Sequence, residues 1–201
     1  LVTENQIAAI EIHKQLVIEE YATEFNFETV SKDSIAYENF QVLSIPNQLT
    51  LSIIAKQIND DGHYFKNMAL RNAYDVFLLS QKTNAQEAVA KYDQLYKPLN
   101  CFLASCYTVF GKIDSLNYTK TATTEAYLAF FEKLLLDAVL RKKHYQKWKV
   151  RLFVRKRVKI IFKTIYKNEY RSWFFKRITD KNWLKEKVRQ LRTNEILASE
   201  E

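Results

Sequence analysis

Apolar residues recur at helical spacing through most of the chain and at strand spacing in only two short places. Residues 7–16, IAAIEIHKQL, fit either element. Ile10 and Ile12 alternate with Glu11 and His13 as in a strand, while Ile7, Ile10, Leu16 and Val17 also suit a helix face. Phe40-Gln41-Val42-Leu43 is a short β-like run. Ser44 and Pro46 then signal a helix start, with Leu49, Ile53, Ile54 and Ile58 on one stripe. Asn59-Asp60-Asp61-Gly62 reads as a stop and turn. A helix follows over about 64–81, burying Phe65, Met68, Ala69, Val76 and Leu79, and Lys82-Thr83-Asn84 breaks it. A further helix reaches about Tyr96, and Pro98 opens the next, which ends near Gly111. The polar stretch from Ser115 to Thr124 reads as a loop. Beyond it, two or three long helices run from about 124 to 196, interrupted near Thr179-Asp180, where Asp180 can cap the last.

Composition agrees with this helical reading. Two Gly and two Pro among 201 residues are too few for the many turns of a β-sandwich or barrel. The expected fold class is therefore mostly α with a small α/β portion. Cys101 and Cys106, with no other Cys or His at ligand spacing, read as small apolar core residues. No apolar run approaches the roughly 18 residues that span a bilayer, and no signal-peptide pattern opens the chain, so a cytoplasmic location is expected. Because the first residue is Leu1 rather than Met, the chain reads as part of a longer polypeptide.

Charge adds what hydropathy does not show. Residues 141–177 carry fifteen Lys or Arg and one acidic residue, Glu169, whereas residues 1–61 carry three Lys and ten Asp or Glu. A local excess of that size attracts phosphate-rich partners or anionic lipid. Lys147, Arg151, Arg155, Lys159, Lys163, Lys167 and Arg171 recur at every fourth position. At about 100° per residue, each step of four turns the stripe by about 40°, so the cations form a ridge that winds round a helix. Aromatic residues such as Tyr145, Trp148, Phe153, Tyr166 and Trp173 lie between them and can stack on unpaired bases. RNA, tRNA included, is the expected partner of this ridge, ahead of an anionic membrane surface. The plainer explanation puts Trp148, Leu152, Val158, Ile161 and Ile165 in a core stripe and leaves the lysines on a solvated face. That explanation does not account for the near-absence of Glu.

The order of features over the first 85 residues resembles a known family. A strand reading Ile10-Glu11-Ile12-His13 is followed by a short strand Phe40–Ser44 and a helix with Pro46, Leu49 and Gln57. Then comes a helix reading KNMALRNAYDVFLLSQK at 66–82. This is similar to the later part of the nucleotidyltransferase-like proteins related to the abortive-infection type nucleotidyltransferase toxins. The resemblance implies that residues 1–85 complete a nucleotidyltransferase-like sheet and that 86–201 form a helical region with the long basic helices. It also implies transfer of a nucleotide from an NTP to an acceptor hydroxyl with Mg²⁺, an RNA acceptor being the one that suits the ridge. Glu11 falls at the family's third metal-binding carboxylate and would be catalytic, with His13 beside it on the strand. On the later helix, Lys66 or Arg71 would reach a nucleotide phosphate, with Asp75 orienting the arginine. The family's glycine-serine turn and paired acidic residues are missing: no Gly precedes Gly62 and no Asp-x-Asp occurs. The alternative function is a non-catalytic helical module that binds RNA or anionic membrane through residues 141–177. For Arg71 and Asp75, the plainer explanation is a local ion pair between successive turns.

Overall fold

A computed structural model describes residues 15–168 together with 171–172, 176, 179–183 and 185–186. The expected strand at 9–14, with Glu11 and His13, lies outside the described residues, as do Trp173 and most of the last expected helix. The chain divides into two compact units, Leu1–Tyr145 and Gln146–Glu201.

The described residues of the first unit form helices and one small hairpin. Helix α1 (Phe27–Ser31) starts at Asn26, whose side chain accepts from the Thr29 amide in a reciprocal capping box. Strands β1 (Ile35–Ala36) and β2 (Gln41–Val42) pair antiparallel, Ile35 opposite Val42. Of the β-like run at 40–44, only Gln41–Val42 is a strand, and its partner among the described residues is β1, a few residues upstream. A four-residue turn, Tyr37–Phe40, closes that pairing. A nucleotidyltransferase-like sheet is therefore not seen among the described residues.

Helix α2 (Ile45–Ile54) buries Leu49, Ile53 and Ile54, the expected stripe, and runs on into a π-helical turn over Ala55–Asn59. The helix expected over 64–81 is two helices. A single turn, α3 (Gly62–Phe65), ends where Lys66 turns left-handed at φ 50°. The chain then runs extended into α4 (Leu70–Ser80). Local bonds hold this break: the Asn67 amide donates to the Gly62 carbonyl, and the buried Gln57 side chain donates to the Asn67 carbonyl. Hydrophobic spacing continues across the break, so periodicity could not reveal it. Helix α5 (Ala85–Ala90), capped by Asn84, also stops short of the expected end at Tyr96.

Helix α6 (Tyr96–Val109) is the centre of the core, buried without interruption from Pro98 to Cys106. Its start is capped from a distance by Glu24, whose carboxylate accepts from the amides of Gln94 and Leu95. Asn100, buried in its second turn, donates to the Thr119 carbonyl and accepts from the Thr119 amide; of the loop expected at 115–124, Asp114–Leu116 is a 3-10 turn and α7 begins at Ala122. Cys101 and Cys106 are free thiols in this core, and burial pushes the Cys101 thiol up to about 11. Thr121 caps α7 (Ala122–Leu136), and Asp137 caps α8 (Ala138–Tyr166) through the Leu140 amide. The beginning of α8 is fastened within the first unit. His144 hydrogen-bonds the Tyr64 carbonyl at 3.0 Å, and the Phe65 and Tyr145 rings stack at 4.8 Å.

Candidate functional site

The residues nominated by sequence fall into two groups. Lys66 is half-buried, with its ammonium 3.9 Å from the centroid of the Tyr127 ring, a cation–π contact. It has no carboxylate partner among the described residues, and burial is the main cause holding its pKa below the ordinary lysine value. The break at Lys66–Ala69 separates it from Arg71 and Asp75, which stand on α4. Arg71 is exposed and Asp75 half-buried, and they make no ion pair with each other. Among the described residues, no three His, Cys, Asp or Glu side chains come together as a metal-binding group, and Glu11, the expected Mg²⁺ ligand, lies outside them.

Next to Lys66, His63 is stacked on Tyr127 at 5.3 Å, and its Nδ1 is buried without a hydrogen-bond partner. Burial foremost, then the charges of Lys66 and Lys97, depress its pKa to about 4. His63 is thus a neutral ring at ordinary pH. Nothing in its sequence context distinguished it, because its stacking partner Tyr127 lies sixty-four positions away.

The basic segment is the long helix α8. It carries eleven Lys or Arg and no acidic residue over 29 positions. Lys147, Arg151, Arg155 and Lys159 are exposed, Lys163 is half-buried, and Lys167 lies exposed just past the helix end. Arg171 has a different task. Its guanidinium donates to the Thr164 and Ile165 carbonyls at 3.2 and 2.9 Å, capping the C-terminal turn of α8. Two of the aromatic residues are also engaged by cations: Arg157 lies over Phe153 and Arg151 over Trp148.

The core stripe offered as the plain explanation of this segment is not formed by those residues. Leu152 is buried, but Val158, Ile161 and Ile165 are exposed. With Val150 and Val154 they make a line of five aliphatic side chains, each between 43% and 64% exposed. At about 100° per residue the five fall within an arc of about 80°, with Arg157 on one border and Arg151 and Arg155 on the other. Among the described residues no helix is long and apolar enough to cross a membrane. Comparison with protein-family models, with curated proteins and with solved structures finds no match to this chain.

Proposed function

We propose that the chain is a binding module that lays α8 on the surface of an anionic membrane. One observation supports this above the rest: five exposed aliphatic side chains share a stripe bordered by cations on a helix that carries no acidic residue. RNA phosphates would use the cations and leave the aliphatic stripe in water. An anionic bilayer surface takes up both, since apolar side chains enter the headgroup boundary while Lys and Arg meet the lipid charge. Each cation near such a surface contributes about 1 kcal/mol, and α8 supplies many. Partition of the purified chain into phosphatidylserine-containing vesicles, against phosphatidylcholine vesicles and single-stranded RNA across a salt series, tests the reading. Tight binding to the anionic vesicles alone supports it. Preferential RNA binding with a steep linear fall of log affinity against log salt would place the chain with nucleic-acid proteins instead.

A second reading keeps nucleotide transfer from an NTP, with Glu11 as the catalytic and metal-binding carboxylate and His13 beside it. In its favour, Arg71 and Asp75 stand on successive turns of α4 without pairing, so a mutual ion pair does not account for them. Mg²⁺ would supply charge neutralisation at the phosphates. Glu11→Gln is the check: nucleotide transfer lost with the fold intact supports this reading, and transfer at the original rate removes Glu11 from it.

A further inference from the structure

The first unit holds a trough of about 730 Å³ whose chemistry is independent of α8's exposed stripe. Its apolar walls come from three places in the chain: Phe65, Met68 and Leu70 at the α3–α4 break, Val109 at the end of α6, and Phe131, Leu134 and Leu135 on α7. Lys66, Arg141 and Lys142 also line it, and no Asp or Glu does. A volume of this size, with mostly apolar walls and few polar groups, is typical of small-molecule sites.

The cations come from two places in the chain, Lys66 at the α3–α4 break and Arg141 with Lys142 at the start of α8. Phe65, the neighbour of Lys66, stacks on Tyr145, and Tyr145 stands one turn beyond Arg141 on the same face of α8. Lys66 lines the trough from a left-handed backbone position, an uncommon conformation for a residue with a side chain, and its ammonium also lies 3.9 Å from the Tyr127 ring centroid. Arg141 donates to the Leu134 carbonyl at 3.3 Å, which fixes the guanidinium beside the wall. Leu70, Val109 and Leu135 supply exposed apolar surface along the same trough. An occupant must then have one anionic head and one apolar tail. A cationic or neutral amphiphile would leave the charges unanswered, and a compact anion would leave the apolar walls wet.

We propose that this trough binds a fatty-acid carboxylate, its head among Lys66, Arg141 and Lys142 and its chain against Leu70, Val109 and Leu135. Calorimetric titration of the full chain with monomeric dodecanoate, without vesicles, tests it. The expected result is saturable binding of one dodecanoate per chain, with dodecyltrimethylammonium inert. Lys66→Gln and Arg141→Gln should each weaken binding about tenfold, the loss of one charge-assisted hydrogen bond. Val109→Trp, a change at a partly exposed rim position, should block the trough while leaving the fold intact. Lys147→Gln with Arg151→Gln should leave dodecanoate binding unchanged, so failure here is separable from failure of the membrane reading. Absence of saturable binding, equal binding of the cationic amphiphile, or full affinity in Val109→Trp would overturn the proposal.

Discussion

Acidification from about pH 7.5 to about pH 5 will remove about 2 kcal/mol of folding stability through His63 alone. The unfolded imidazole titrates near 6.5, whereas the folded one is held at about 4 by burial and by Lys66 and Lys97. Between those values the unfolded chain binds a proton that the folded chain refuses, so stability is complete above about pH 6.5 and falls as pH drops toward 4. The urea midpoint at the two pH values measures this. His63→Phe keeps an aromatic ring against Tyr127 and removes both the titration and the unpartnered Nδ1. Most of the pH 7.5-to-5 loss should vanish in that variant. An undiminished loss would show that other groups carry the acid sensitivity.

Gly62→Ala will destabilise the fold by about 1–3 kcal/mol, the usual cost of forcing a group into filled space. A Cβ on Gly62 would collide with the Lys56 carbonyl oxygen, a backbone atom inside the π-helical turn that no rotamer change can move. It would also press on the Gln57 and Asn67 side chains at 3.0 and 3.1 Å. Those residues hold the break that brings Lys66 to the trough, so the same substitution should weaken dodecanoate binding. Thermal denaturation and calorimetry together check both effects. A variant as stable as the parent would mean that the turn can open without loss.

Sequence showed where buried faces lie far better than where helices break. The Leu49–Ile53–Ile54 stripe and the buried cysteines were legible because helical spacing and apolar type suffice to define them. The break at Lys66 was not, because it rests on Gln57 reaching Asn67 and on one left-handed residue, features without a composition signal. Gly62 was read correctly as a place for glycine, though for a turn rather than for the close approach of Lys56. On α8, the charge pattern marked the ridge, while periodicity left open a core stripe with Val158, Ile161 and Ile165, which are exposed. An amphipathic pattern is the same whether its apolar face meets a core or a bilayer, and only measured exposure separates the two. Arg171 joined the ridge by spacing and left it by geometry, since its donors meet the last carbonyls of α8.

The central claim is that α8 meets an anionic bilayer with its aliphatic stripe as well as its charge. The most direct measurement is the partition coefficient onto phosphatidylserine-containing vesicles of the parent chain and of Val154→Asp with Ile161→Asp. Both positions are exposed, so the fold should survive the change. Two aliphatic side chains withheld from the headgroup boundary, and two negative charges added, predict a loss of more than about tenfold. Partition unchanged in the double variant, with single-stranded RNA stripping the parent chain from the vesicles, would contradict the claim.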